Sequence, residues 1–348
     1  MLLASSLQHK IYTIVLVKLS EISIINDFFT RHNTKNVDKE IVLGIGDDCA
    51  LISTKSISKK LLAVSADMLV EGQHFLADIA PDALGHKALA VNLSDLAAMG
   101  AKPRFFMLAC SLPYADKTWL AAFTDGLFSL AERYNCSLIG GDITNGPMNL
   151  CVTVFGEVEQ DRALRRDAAR DGDDIWVSGI LGNARAGLGA IRGEWETGEK
   201  EASTFKFALD RPEPRVKLGL ALAGLAHAAI DLSDGLVSDL IHILDRSGVS
   251  AIINIDAVPC STALKTLTKD IQLQCMLAGG DDYELCFSTP RNARKAVEEI
   301  GMKENVILTR IGTICSIDVS SEKSEVIWLS NGEPISITLQ GFDHFCTD

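Results

Sequence analysis

Short apolar runs that end on glycine and aspartate alternate along this chain with stretches whose apolar residues recur every three or four positions. The run Ile41–Ile45 leads into "GIGDD", where two adjacent carboxylates follow a glycine turn. The stretch "KKLLAVSADML" (59–69) passes from a basic edge into a β-branched and leucine run, which predicts a strand ending at Ser65. Residues 83–103, "ALGHKALAVNLSDLAAMGAKP", predict a helix that stops at Gly100 with Pro103 just beyond. A second amphipathic helix is expected from Trp119 to Asn135, followed by strands over 136–142 and 149–158. Such alternation favours an α/β fold of mixed α+β character. The charged segment around 160–172 ends in a turn signal and marks a domain boundary, after which "DIWVSGILG" (174–182) resumes a strand. Residues 192–214 are polar, carry two prolines and are expected to form a surface connection. "AIDLSDGLVSDLIHIL" enters a helix at about Leu236 behind an Asp-rich turn, and no internal repeat is visible.

Composition narrows the function classes. The chain has 348 residues, enough for two domains with separate cores, and its 47% apolar content excludes a disordered chain. A formal charge of −13 argues against nucleic acid as a partner, because phosphate backbones are bound by clustered Lys and Arg. Phosphate esters remain accessible to such a protein if divalent cations intervene. The nine cysteines include no Cys-x-x-Cys pair, which points to reduced thiols in a cytoplasmic protein and gives zinc no support. The longest apolar run near the start, Ile14–Val17, is far too short for a membrane span. Residues 1–19 are read as an extension outside the fold, which begins near Ser20.

The P-loop, the dinucleotide Gly-x-Gly-x-x-Gly, the protein-kinase His-Arg-Asp and Asp-Phe-Gly set and Gly-x-Ser-x-Gly are all absent. What recurs is an aspartate beside a small residue at the end of an apolar run. The instances are Asp47 and Asp48, Asp67, Asp95, Asp142, Asp231 and Asp234, and Asp281, Asp282 and Glu284. Strand ends in α/β sheets face ligand crevices, so six segments could deliver carboxylates to one place. Oxygen-only donors suit Mg²⁺ or Mn²⁺, and cations among the aspartates would relieve their repulsion. A lone Asp-Gly pair is ordinarily a turn. Asp95 is harder to explain that way, since it lies mid-helix among Leu93, Leu96 and Met99 with Asn92 on the same face. "RALRRDAARDGD" offers Arg162, Arg165, Arg166 and Arg170 to phosphates, with a solvated charge run as the plain alternative. His74, flanked by a glycine turn and Phe75, is on its chemistry alone a core or surface histidine.

Seven segments in this order resemble the thiamine-monophosphate kinases, within the superfamily of aminoimidazole ribonucleotide synthetase and selenophosphate synthetase. They are "LGIGDDCALI", "VSADMLVEGQHF", "KALAVNLSDLAAMGAKP", "LIGGDITNGP", "AIDLSDGLVSDL", "LAGGDDYELCF" and "GFDHF", spanning about residues 21 to 345. The resemblance implies ATP-dependent phosphorylation of thiamine monophosphate to thiamine diphosphate, by direct in-line transfer with several Mg²⁺ ions; a role for K⁺ stays open. It implies a 20–160 domain that binds ATP and metal and pairs its mixed sheet in a homodimer. A 161–348 α/β domain would pack against it and complete the active site. By matching position, Asp48, Ser65, Asp67, Asp95, Asp142, Asp231 and Asp234 would serve the metals, with a backbone oxygen of Ala66. Gly141, Asp142, Arg166 and Ser233 would meet ATP; His74, Asp281 and Phe342 would meet the acceptor. Ala66 stands where Thr is usual, Asp281 where Glu is common, and Phe342 where Tyr or Trp is often seen. Two alternatives stay in view: an ATP-dependent synthetase of the same fold with another acceptor, and a non-catalytic Mg-nucleotide or thiamine-phosphate binding protein.

Overall fold

The computed structural model describes residues 25–30, 41–43, 51–52, 60–317, 324–339 and 341. Residues 1–19, Asp48 and Phe342 lie outside the described residues. A short antiparallel pair, β1 (Ile41–Leu43) and β2 (Leu51–Ile52), precedes the first large sheet. That sheet is built from β3 (Lys60–Val70), β4 (Lys102–Leu112), β5 (Ser137–Asn145) and β6 (Asn149–Glu159), in the order β3-β6-β4-β5. The β4–β5 pair is parallel and the others antiparallel, so the sheet is mixed. Helices α1 (Pro81–Ala98) and α2 (Lys117–Tyr134) accompany it.

β3 does not end at Ser65. It pairs with β6 from Lys60 opposite Glu159 through to Val70 opposite Asn149. Backbone pairing with a complete partner outweighs the polar Ser65-Ala66-Asp67 step. Because strand side chains alternate, Ser65 and Asp67 share the more buried face with Leu69, while Leu62, Val64, Ala66 and Met68 are exposed on the other.

α1 opens with Pro81 at its first turn and ends at Ala98. Gly100 (φ 64) then turns the chain, and Pro103 falls inside β4, not in a loop. Nearly every side chain of α1 is buried, the mark of a central helix enclosed on all sides. It crosses α2 so closely that a Cβ on Gly126 would sit 1.8 Å from the Asp82 carbonyl oxygen, and one on Gly85 2.0 Å from that of Phe123.

The second sheet has seven strands: β7 (Asp174–Ser178), β8 (Ala228–Asp231), β9 (Val249–Asn254), β10 (Leu285–Thr289), β11 (Leu308–Ser316), β12 (Val326–Ser330) and β13 (Glu333–Ile335). Their order is β13-β12-β9-β11-β7-β10-β8, with only the β12–β9 pair parallel. Its helices are α3 (Asn183–Arg192), α4 (Glu199–Asp210), α5 (Val216–Leu222), α6 (Leu236–Ser247), α7 (Lys269–Ala278) and α8 (Arg294–Glu304). The expected surface connection over 192–214 therefore contains a helix, α4. Phe205 and Leu209, one turn apart, are buried and anchor a segment whose other residues are largely polar. The apolar cluster around α1 continues into Trp176, Leu285 and Phe287 of the second sheet, so the two halves share packing as well as the cleft between them.

Candidate active site

Three residues of α1, Lys87, Val91 and Asp95, follow one another at four-residue spacing and line a cleft of about 760 Å³. β3 contributes Ala66 to Val70, and His74 follows in the next turn. β8 and the turn into α6 contribute Asp231, Ser233 and Asp234. The loop after α7 adds Gly280, Asp281 and Tyr283, and α3 supplies Arg185, Leu188 and Arg192. Of the aspartates singled out in the sequence, Asp67, Asp95, Asp231, Asp234 and Asp281 thus meet at one place.

Hydrogen bonds hold the acidic end in register. Ser65 Oγ donates to Asp95 Oδ2 at 2.5 Å, which ties β3 to α1. The Asp67 amide donates to Asn92 Oδ1 at 3.0 Å, so Asn92 orients the strand from the helix. Ser94 Oγ donates to Asp231 Oδ2 at 2.8 Å, which joins α1 to the second sheet. Asp239, on the first turn of α6, accepts from the amides of Asp234 and Gly235 at 3.1 and 3.0 Å and shapes the Asp-rich turn.

The electrostatics of this end are unfavourable to charge. Burial, then Asp95 and Asp234, push Asp67 up to about 6. Burial, then Asp95, push Asp231 up to about 7, while Ser94 and Arg166 oppose the rise. Asp95 is raised by burial against the pull of Ser65 and Arg166. Asp239 is raised to about 8 by burial, Asp234 and Asp231. Among the described residues, no three His, Cys, Asp or Glu side chains are grouped tightly enough to hold a metal ion alone. Hard oxygen donors gathered against their mutual repulsion fit a divalent cation whose shell is completed by water and phosphate oxygens, as Mg²⁺ prefers.

The remaining candidates fall into three groups. His74 lines the cleft, and its Nδ1 accepts the Val70 amide at 3.0 Å, which leaves the proton on Nε2. Arg166 is exposed, yet its charge acts on Asp95 and Asp231. Its neighbours in the basic run are engaged locally: Arg165 with Asp167 at 2.5 Å, Arg162 with the Ala223 carbonyl at 2.6 Å. Gly141 and Asp142 lie exposed on the edge strand β5, away from the residues that line the cleft. Gly141 also has a packing reason to be glycine: at φ 152, a Cβ there would sit 1.8 Å from the Leu108 carbonyl oxygen.

Several cleft residues escaped the sequence reading, among them Lys87, Tyr283, Arg185 and Arg192. Lys87 had a visible signal, since it shares with Asp95 the helical face on which the carboxylate stood out. The side chains of α3 had none, because only the tertiary fold turns that helix toward the first domain.

Comparison with known proteins agrees with this architecture. Residues 46–158 match the AIR synthase related protein, N-terminal domain, and residues 170–321 match its C-terminal domain. The chain is 43% identical over 329 residues to thiamine-monophosphate kinase of Salmonella typhimurium, covering 94% of this chain and 98% of that one. It is 33% identical over 310 residues to the Bacillus subtilis enzyme of the same name, covering 87% and 93%. The crystal structure of thiamine-monophosphate kinase from Stenotrophomonas maltophilia superposes with a TM-score of 0.80 at 43% identity, covering 90% of this chain and 97% of that one. AaThiL, solved in complex with AMPPCP and TMP, superposes with a TM-score of 0.71 at 30% identity, covering 93% and 97%. Two family-model matches in order, and near-complete coverage at these identities, establish that the chain belongs to the AIR synthase related proteins and, among them, to the thiamine-monophosphate kinases.

Proposed function

We propose that the chain transfers the γ-phosphoryl group of ATP to the phosphate of thiamine monophosphate, giving ADP and thiamine diphosphate by direct in-line displacement without a phospho-enzyme. The observation that carries this reading is the convergence of Asp67, Asp95, Asp231 and Asp234 on one cleft, where burial and mutual repulsion raise Asp67 and Asp231. Two phosphate anions can meet on such a surface only if positive charge lies between them. Mg²⁺, when bound, supplies that charge and stabilises the transferring group. Ser65, Asp67, Asp95, Asp231 and Asp234 would hold it, with Asp48 and a backbone oxygen of Ala66 joining on the strength of the resemblance, which also names Asp142, at the far edge of the same sheet.

The chain's own contribution is positioning. Arg166 adds positive charge facing Asp95 and Asp231, and Ser233, Gly141 and Asp142 are assigned to ATP. His74, which lines the cleft, is assigned to the acceptor with Asp281 and Phe342. No general base is required, because the accepting phosphate oxygen is already ionised near neutral pH. We assign nucleotide and metal binding and dimer formation to residues 20–160 and completion of the site to 161–348. A homodimer through the exposed face of β3 is supported by the apolar Leu62, Val64 and Met68 there. A cytoplasmic setting is supported by the free thiols at all seven described cysteines, and no described helix is long and apolar enough to cross a membrane. Any K⁺ dependence is to be measured in the same assay.

The test is product analysis after mixing protein, MgATP and thiamine monophosphate, with an EDTA control. Thiamine diphosphate and ADP in equal amounts, abolished by EDTA, are expected. ADP release only with another acceptor would favour a synthetase of the same fold, and binding without turnover a non-catalytic protein.

A further inference from the structure

We infer that Lys87 is a positioning residue for acceptor recognition, holding the Asp281 carboxylate so that it reads an N–H donor on the ring system of the acceptor. This rests on the kinase reading above and adds to it a residue that the motifs did not single out.

Lys87 is a charged residue inside an apolar helix. Its side chain is 2% exposed, and its Nζ lies 3.2 Å from Asp281 Oδ1. Asp281 is 27% exposed, so part of its carboxylate still faces the cleft. A buried ammonium is tolerated only when paired, and the pair therefore fixes both partners. Tyr283 lines the same part of the cleft, where burial and then the charge of Asp281 push its hydroxyl well above the usual value. The backbone is committed to this aim as well: Asp281 and Tyr283 adopt φ of 67° and 50°, a left-handed region that non-glycine residues rarely enter. Strain of this kind persists where the surroundings over-determine a conformation, commonly at ligand clamps. The Asp281 amide also donates to the Ser233 carbonyl at 2.8 Å, tying the loop to the Asp-rich turn.

The position along α1 says which part of the acceptor Asp281 meets. Lys87 and Asp95 are two helical turns apart, about 12 Å of rise. An acceptor phosphate placed near Asp95 cannot also sit at Lys87. Between them lies Val91, with Leu188 of α3 also lining the cleft, an apolar stretch suited to a flat ring. Asp281 accepts hydrogen bonds and is already satisfied at one oxygen by Lys87, so its remaining lone pairs suit an exocyclic amine. Without Lys87, Asp281 would be one more carboxylate beside an acidic cluster, free to rotate and poorly aimed.

Steady-state kinetics on Lys87→Met, Lys87→Arg, Asp281→Asn and the Lys87→Met/Asp281→Asn pair test this. Lys87→Met should raise KM for thiamine monophosphate about tenfold, with kcat and KM for ATP changed by less than about twofold. In the Asp281→Asn background the same substitution should add less than about twofold, because the two residues act as a unit. Lys87→Arg should recover part of the loss. With an acceptor whose exocyclic amine is replaced by hydrogen, wild type and Lys87→Met should differ by less than about twofold. Equal losses in both backgrounds, or losses confined to kcat or the ATP KM, would overturn the inference and leave the kinase reading intact. A wild type that forms no thiamine diphosphate would overturn both. If thermal melts show Lys87→Met unfolded, Asp281→Asn and Lys87→Arg carry the test: an unchanged acceptor KM in Asp281→Asn refutes the role.

Discussion

Asp95 shows how one side chain trades stability for chemistry. It lies in a helix that is almost entirely buried, and a serine hydroxyl is drawn up to it at hydrogen-bond distance. Buried carboxylates that repel one another cost stability, while their charge is what a metal requires. Asp95→Asn should therefore lower kcat by about a hundredfold or more while leaving the melting temperature equal to or above wild type. Paired activity and calorimetry measurements decide it, and near-normal turnover would remove Asp95 from the site. His86, on the same helix, predicts a pH effect on stability. Burial chiefly lowers its pKa, and its Nε2 lies 2.7 Å from the Pro212 carbonyl oxygen. The unfolded chain takes up a proton near pH 6.5 that the folded chain resists, so the stability His86 contributes is complete above that value and is lost as pH falls. Relative to His86→Gln, the wild-type advantage in melting temperature should shrink between about pH 7.5 and about pH 5. A gap that does not vary with pH would contradict the burial argument.

Among the elements, β3 does two jobs with one alternation. The more buried face carries Ser65, whose hydroxyl meets Asp95 of α1, and Asp67, and the face of Leu62, Val64 and Met68 is exposed. An exposed apolar stripe of this kind marks an interaction surface. On the proposed homodimer, Val64→Glu should shift the protein from dimer to monomer in sedimentation velocity, and an unshifted dimer would show that another surface mediates association. The α1–α2 crossing is the other critical element, because the backbones touch at Gly85 and Gly126. Gly126→Ala drives a methyl into the Asp82 carbonyl and should cost about 1–3 kcal/mol in denaturant unfolding. A loss well below that range would mean that the helices can slide apart at no cost.

At the scale of the whole molecule, the cleft depends on both halves being folded and docked. β3 and α1 belong to the first, Asp231, Asp234 and Asp281 to the second, and Ser94 to Asp231 is the seam. A divalent ion that binds the folded state alone raises stability by mass action, about 2.7 kcal/mol at a hundredfold excess over its Kd. Mg²⁺ with ATP should raise the melting temperature, and EDTA should reverse the shift. No shift at saturating nucleotide would leave the cluster without its proposed counter-charge.

How much of this was written locally can be told from particular residues. The alternation of β3, the α1 periodicity with Asp95 out of place, and the glycine–aspartate turns were all legible, because they depend on neighbours a few positions away. The end of β3 was misjudged and α4 was missed, because pairing with β6 and burial of Phe205 and Leu209 depend on partners far along the chain. The amino-acid sequence by itself determined the supply of carboxylates, their placement at element ends and the mixed α/β architecture. The tertiary structure decided which of those carboxylates share a space, that Lys87 is the buried partner of Asp281, and that α3 walls the cleft. Period and propensity act over a turn or a strand pair, whereas charge repulsion, desolvation and ion pairing act through distances that only the folded chain defines.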